Sequence, residues 1–283
     1  MASTYLSRVR GKVTLETLHL VPVPIAEGQP DGSALRVLPP TTVEIARQCR
    51  YFLAENARSA RAFLRAVGHP GPIADLQIVE IGHEPDPLAI DHWLAPLRSS
   101  GAESGTDAIL LSEAGCPGIA DPGATLVARA HELGIRVAPW VGPSSIVLAL
   151  MGAGMNGQHF RFLGYLPQER GALRERLRAV QVDANRGETQ IFIETPYRNV
   201  RLFEAILQVC EANTRLGLAI ELTAANQTVL TRTIAQWQSV RASASAALDR
   251  HAAVFLVAAS TARALAPRAH APHRRRSPLR PRS

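Results

Sequence analysis

The sequence predicts an α/β fold with two domains. In the first half, short apolar runs alternate with helical patterns, as is typical of a parallel sheet covered by helices. In the second half, two apolar segments flank a polar turn around residues 223–226, which predicts antiparallel strands in a mixed sheet. The chain has 283 residues, of which 46% are hydrophobic, enough for two cores. We expect two α/β domains with a ligand cleft between them.

The first half supplies nine predicted elements. Strands are predicted at short apolar runs, and helices where apolar residues recur at three- and four-residue spacing. In order, these are a strand at 18–23, a helix at 41–48, a strand at 51–54, a helix at 58–67, a strand at 77–81, a helix at 86–98, a strand at 107–111, a helix at 124–133 and a strand at 136–140. The helix at 86–98 has an apolar face that includes Leu88 and Trp93.

The second half has a different order of elements. They are a helix beginning at 144–150, a strand at 160–163, a helix at 170–180, a strand at 190–193, a helix at 196–211, and strands at 216–222, 227–234 and 253–258. Gly and Pro concentrate near 143–158, which favours a domain boundary there. The predicted divisions are a polar lead-in at 1–16, an N-terminal domain at 17–143, a C-terminal domain at 144–262 and a basic tail at 263–283.

The net charge and the cysteine content limit which classes of function are plausible. The net charge is +7, but seven arginines and no acidic residue follow residue 262, so the body is neutral. The tail lacks large apolar residues, and we expect it to be disordered, either as a solvated extension or in contact with nucleic acid. Three cysteines without CxxC spacing favour a reducing cytoplasm over a disulfide framework. No run approaches the roughly 20 apolar residues of a membrane span.

No metal site is predicted. The histidines that could contribute to one are far apart in sequence, at His19, His83 and His131. Imidazoles at such spacing are more often satisfied surface or core side chains than ligands.

The stretch Leu110–Gly123, L-L-S-E-A-G-C-P-G-I-A-D-P-G, is the strongest candidate for a site. An apolar strand there ends in a turn with three glycines and two prolines. Glycine lets the backbone approach a ligand because it has no Cβ, and ligands of α/β sheets bind beyond the carboxyl ends of strands. An ordinary tight strand-to-helix loop would have the same composition.

Polar side chains follow other predicted strands. Ser144 and Ser145 begin a helix, where free N–H groups can bind a carboxylate, although Ser144 could equally be an N-cap. Glu55 could act as a general base, and Arg58 could orient a phosphate, unless the two form a surface ion pair. Arg198 could contact a substrate phosphate, or it could be a solvated arginine in the first turn of a helix.

Five segments together resemble a known family. They are P-V-P-I at 22–25, A-E-N-A-R at 54–58, the 112–123 stretch, V-G-P-S-S at 141–145 and E-T-P-Y-R at 194–198. In this order they resemble the tetrapyrrole methylase superfamily and, within it, the branch of ribosomal RNA small subunit methyltransferase I. The resemblance spans roughly residues 17–260, and several ordered motifs make a chance match improbable.

The resemblance implies the tetrapyrrole methylase fold, S-adenosylmethionine as methyl donor, a homodimer, and ribosomal RNA or the small ribosomal subunit as partner. It implies catalytic roles for Glu55, Arg58 and Arg198. Donor-binding positions are implied at Pro24, Ser112, Glu113, Ala114, Gly115, Ile119, Ser144, Ser145, Glu194 and Leu222. Trp93 could contribute to a dimer contact or pack into its own domain.

The chain departs from the family pattern at several polar positions. Ala26-Glu27 replaces Gly-Asn, Asn56-Ala57 replaces Asp-Thr, and Ala224 stands at one of two lost basic positions. We therefore expect methylation of ribosomal RNA on a 2′-oxygen with weaker or altered RNA binding. The alternatives are a methylase of a tetrapyrrole or another small molecule, and a donor-binding protein without transferase activity.

Overall fold

The computed structural model describes residues 16–25, 34–98 and 106–260. Most of the predicted lead-in and all of the predicted tail lie outside these residues. The first sheet has five strands: β1 (Thr17–Leu20), β2 (Tyr51–Ala54), β3 (Gln77–Glu80), β4 (Ala108–Leu111) and β5 (Arg136–Pro139). Their order is β3-β2-β4-β1-β5, and every pairing is parallel. All five carboxyl ends therefore lie along one edge of the sheet.

Helices cover both faces of this sheet. They are α1 (Ala34–Val37), α2 (Pro40–Gln48), α3 (Ala57–Ala66), α4 (Ile90–Leu94) and α5 (Gly123–Glu132). Side chains alternate across the strands, so Phe52 joins one core and Leu53 the other. Both are fully buried. The predicted parallel α/β layer is confirmed.

One predicted helix of the first half was wrong in its extent. The 86–98 segment forms only the five-residue α4 and a 3₁₀ turn at Ala95–Arg98. Pro96 cannot donate the hydrogen bond that would continue an α-helix. Leu88, expected on the apolar face, precedes the helix and is 90% exposed. Trp93 is half-buried and packs on the core of its own sheet, and its carbonyl accepts a bond of 2.7 Å from the Tyr51 hydroxyl.

The second sheet is mixed, as predicted. Its strands are β6 (Phe160–Tyr165), β7 (Thr189–Ile193), β8 (Arg215–Ile220), β9 (Thr228–Thr233) and β10 (Ala253–Ala258), in the order β6-β7-β10-β8-β9. Strands β6 and β7 are parallel, and the other pairings are antiparallel. The predicted hairpin is the β8–β9 pair.

Five helices flank the second sheet: α6 (Ser145–Ala153), α7 (Arg170–Asn185), α8 (Asn199–Val209), α9 (Ile234–Ser239) and α10 (Arg241–Leu248). Helix α6 packs on one face, where Ala149 meets Ile191 and Leu256, and the other helices pack on the opposite face. The sequence did not predict α9 and α10, because their alanines and serines give a weak apolar pattern. A 3₁₀ turn at Pro196–Arg198 precedes α8, so the predicted 196–211 helix begins later and ends earlier.

Candidate functional site

Three loops meet at the carboxyl edge of the first sheet. Val23, after β1, pairs with Gly115, after β4: their backbones exchange N–H···O bonds of 2.9 and 3.2 Å. The Cys116 thiol donates a 3.4 Å bond to the carbonyl of Pro143, in the loop after β5. The segments containing Pro24, Gly115 and Ser144 are thereby held side by side.

The turn after β4 depends on glycine. Gly115 has φ +72°, a left-handed conformation that other residues rarely adopt. A Cβ there would lie 3.4 Å from the Pro143 carbonyl oxygen. Ser112 is buried, and its hydroxyl donates to the carbonyl oxygens of Ala114 and Gly115, at 3.3 and 3.2 Å. Ser112 therefore shapes the turn, whereas Ala114 is exposed.

A cleft of about 500 Å³ lies between the two sheets. Four predicted donor-binding residues line it: Ala114 from the first sheet, and Ser145, Glu194 and Leu222 from the second sheet and its helix α6. Pro24, Gly115 and Ser144 are the immediate neighbours of lining residues. The Ser144 hydroxyl accepts a 3.5 Å bond from the Val147 N–H and so caps α6. This is the N-cap role that the sequence offered as one alternative. Ile119 and Arg58 are exposed and are not lining residues of the cleft.

A second cavity, of about 270 Å³, lies between β9 and α10. Apolar side chains such as Leu218 and Trp237 form much of its wall, and it belongs to the second sheet alone. The cleft between the sheets is lined by polar and charged side chains, among them Ser145, Glu194 and Arg250. It is therefore the better candidate for a ligand with charged groups.

The second-sheet wall carries a partly buried ion pair. The Oε1 atom of Glu194 accepts bonds from Nε and Nη2 of Arg198, at 3.0 and 2.5 Å, and from the Thr195 N–H at 2.7 Å. The side chains are 8% and 20% exposed. The Arg198 guanidinium is thus engaged by Glu194 and lies 5.7 Å from the centre of the exposed Tyr197 ring.

Electrostatics connect the two walls. Burial raises the pKa of Tyr165 on β6, the charge of Glu194 raises it further, Arg198 opposes the shift, and the charge of Glu55 adds to it. Glu55 follows β2 of the first sheet, whereas the other groups belong to the second. Glu55 also accepts the N–H of Glu113, the neighbour of the lining residue Ala114, so it lies beside the cleft.

Two loops of the second sheet hold left-handed backbone without glycine. Glu221, Thr223 and Arg250 have φ values of 51°, 72° and 61°. The Glu221 carboxylate accepts a 2.7 Å bond from the Ala252 N–H and so ties the two loops together. Glu221 and Arg250 both line the cleft. Strained backbone of this kind collects at functional sites, which is a second sign that the cleft binds a ligand.

The surroundings of Glu55 differ from the sequence prediction. Glu55 is not paired with Arg58 in the described structure: its Oε1 atom lies 2.5 Å from Nδ1 of His83, and its Oε2 atom accepts a 3.2 Å bond from the Glu113 N–H. Arg58 is exposed. The ligand atoms of Glu55, His83 and Glu113 all lie within 4.8 Å of one another, a grouping that could hold a divalent ion.

The contact of His83 with Glu55 was not predicted, because the histidines were compared only by their spacing along the chain. His83 lies just beyond β3, and β3 is the neighbour of β2, which carries Glu55 at its end. A search for polar residues beyond predicted strand ends would have found it. The order of the strands, rather than sequence distance, brings the two side chains together.

Comparison with known proteins shows that the chain is a methyltransferase built on two α/β sheets. The fold is similar to that of the methyltransferase CobJ, with a TM-score of 0.54 and 16% identity, over 86% of this chain and 93% of that one. The chain is 33% identical over 223 residues to ribosomal RNA small subunit methyltransferase I of Xylella fastidiosa strain Temecula1, covering 79% of this chain and 74% of the relative. It therefore belongs to the family of ribosomal RNA small subunit methyltransferase I.

A second relative of the same name, from Pseudomonas aeruginosa, is 37% identical over 137 residues, which is 48% of each chain. No family model matches the chain. Among the residues that the structure describes, no helix has the length and apolar character needed to cross a membrane. Family membership makes the protein a methyltransferase, which implies a methyl donor.

Proposed function

We propose that this methyltransferase transfers a methyl group from S-adenosylmethionine to a 2′-hydroxyl of small-subunit ribosomal RNA. The observation that carries the proposal is the cleft, because donor residues implied by the family resemblance line it from both sheets. The names of the relatives support the RNA acceptor. A cytoplasmic location and a homodimer belong to the same proposal.

The residues of the cleft suit the proposed donor. A volume of about 500 Å³ lies within the range of small-molecule sites. Ala114 and Gly115 leave room beside backbone groups, and Ser145 lies in the first turn of the nine-residue α6, whose free N–H groups can bind a carboxylate. When bound, S-adenosylmethionine supplies an electrophilic methyl group on a sulfonium. The chain's part is to bind, orient and exclude water.

The acceptor would approach from the side of Glu55. Arg58 is exposed beside it, and a guanidinium can bind an RNA phosphate. Tyr197, 73% exposed on the opposite wall, offers a ring on which an unpaired base can stack. Arg198 holds Glu194 and positions the Tyr197 ring at the edge of the cleft.

Ala114→Trp tests the donor site. Ala114 is exposed, so the large side chain should fill the cleft without disturbing a core, and calorimetry should show at least about a 100-fold loss of affinity for S-adenosylmethionine. Ala128→Trp, on the exposed face of α5, is the matched control and should bind normally. Unchanged binding by a folded Ala114→Trp variant would contradict the donor assignment.

Mass spectrometry of ribosomal RNA tests the acceptor. RNA from a deletion strain should lack one 2′-O-methyl group, and wild-type protein with S-adenosylmethionine should restore it on isolated small subunits. A protein that binds the donor but transfers nothing to subunits would favour a small-molecule acceptor or a non-catalytic role. Light scattering at micromolar concentration tests the dimer, which a monomeric mass would exclude.

A further inference from the structure

We propose that His83 is the general base that accepts the proton of the acceptor hydroxyl, and that Glu55 orients its ring. This inference rests on the proposed methyl transfer to a hydroxyl group. It reassigns Glu55, which the sequence alone suggested as the base, to a positioning role. The geometry of the Glu55–His83 pair carries the argument.

The hydrogen bond fixes the tautomer of the ring. Nδ1 of His83 lies 2.5 Å from Oε1 of Glu55, and a carboxylate can only accept. In the neutral ring, Nδ1 therefore carries the proton, and Nε2 keeps its lone pair. Nε2 makes no hydrogen bond to any residue that the structure describes, and the His83 side chain is 76% exposed. The basic nitrogen is open to an incoming hydroxyl.

Glu55 is well held for an orienting role. Its side chain is only 11% exposed, and its second oxygen accepts the Glu113 N–H at 3.2 Å. In acid–histidine pairs, a carboxylate accepts a hydrogen bond from one imidazole nitrogen and leaves the other nitrogen free to act as a base. Glu55 and His83 have this arrangement. The pair also lies beside the cleft, because Glu113, whose N–H Glu55 accepts, is the neighbour of the lining residue Ala114.

Carboxylate groups from two neighbouring loops lie close to the ring. Glu55, after β2, and Glu113, after β4, both have oxygens within 4.8 Å of the ring nitrogen. Asp121, before α5, and Tyr165, on β6, lie within range of Glu55: burial is the first cause of the raised pKa of each, and Glu55 adds to it. The two near carboxylates stabilise the imidazolium that forms.

The step balances without a further reactant. The acceptor oxygen forms a bond to the methyl carbon of the sulfonium donor, the carbon–sulfur bond breaks, and its electron pair stays on sulfur. The hydroxyl proton passes to Nε2 of His83. The imidazolium, paired with Glu55, then releases this proton to solvent through its exposed edge.

Nitrogen-15 spectra of histidine-labelled protein, without donor or RNA, test the orientation. His83 should show the Nδ1–H tautomer, assigned by its loss in His83→Gln, and Glu55→Gln should shift the ring toward the Nε2–H form. An Nε2–H tautomer in the wild type would overturn the proposal. This readout does not depend on activity.

Methyl transfer to small subunits tests the chemistry. His83→Ala should lower kcat about 100-fold with KM little changed and should regain activity with added imidazole, because the site is open to solvent. His131→Ala, an exposed histidine of α5, is the control and should behave as wild type. Melting temperatures identify any variant that fails to fold.

Three other outcomes would contradict either the role of His83 as general base or the proposed function. A His83→Ala variant with wild-type kcat overturns it while the proposed function stands, whereas a wild type that methylates no subunit refutes the function itself. Zinc or manganese retained by wild type, lost in His83→Gln and required for transfer would also overturn it, because a ligated ring has no free role as base.

Discussion

Arg198→Ala should destabilise the protein by about 3 kcal/mol, a value set by the environment of Glu194. Arg198 supplies two of the bonds to the Glu194 carboxylate, which is 8% exposed. Its removal leaves a buried charge held by the N–H and hydroxyl of Thr195. Breaking buried ion pairs costs about 3–5 kcal/mol, and the 20% exposure of Arg198 places this pair at the low end.

Urea denaturation measures the effect. With a slope of about 2–3 kcal/mol per molar urea, the midpoint should fall by about 1 M. Arg58→Ala is the matched control: Arg58 is exposed, and surface substitutions usually change stability by less than about 0.5 kcal/mol. Both arginines are proposed to serve RNA methylation, so both variants should lose transfer activity, but only one should lose stability.

A double variant isolates the buried charge. Glu194→Gln combined with Arg198→Ala removes the carboxylate charge and should recover most of the lost stability, because a neutral amide is cheaper to bury without a partner. Equal midpoints for Arg198→Ala and Arg58→Ala would refute the reasoning. A double variant as unstable as Arg198→Ala would also refute it, since the loss would then come from packing.

Three further outcomes are expected. Asn56→Ala should cost about 1 kcal/mol in urea denaturation and Asn56→Asp almost nothing, because the side chain caps α3. Burial raises the pKa of Asp121, so its neutral form stabilises the fold at low pH and this contribution is lost as pH rises above the ordinary aspartate range; Asp121→Asn should flatten that part of the stability profile. Cys49 and Cys210, whose pKa values burial raises to about 12, should resist alkylation at pH 8 in the native protein and react after denaturation, and labelling of the folded protein would contradict their burial.

The sequence predicts the fold well because its strands carry strong local patterns. Buried strands such as Tyr51–Ala54 and Ala253–Ala258 are continuous apolar runs between polar turns, so they stand out without tertiary information. Helix α10 does not, since its burial is confined to Ala244 and Leu248 among serines and alanines. The exposed Leu88 shows the opposite error, because it fits the apolar helical pattern but precedes the helix that forms.

The site is harder to predict because its contacts depend on strand order. Family motifs locate Ala114 and Glu194, and the fold brings both to one cleft. No local signal indicates that β3 lies beside β2, so the contact of His83 with Glu55 cannot be derived from the spacing of 28 positions between them. The pairing of Arg198 with Glu194 is local in sequence, but the burial of the Glu194 carboxylate depends on tertiary packing that the sequence does not show.

The departures from the family motif after β2 bear on the start of a helix more than on the cleft. Asn56 accepts the N–H groups of Arg58 and Ser59 at 2.8 and 3.3 Å, which is the work an aspartate would do in the same place. Ala57 is buried and donates its N–H to Glu80, so a threonine there would have to bury its hydroxyl. Glu55 still contacts His83 and Glu113, while Asn56 and Ala57 stabilise the start of α3. The proposed methyl transfer can therefore persist while RNA binding is altered.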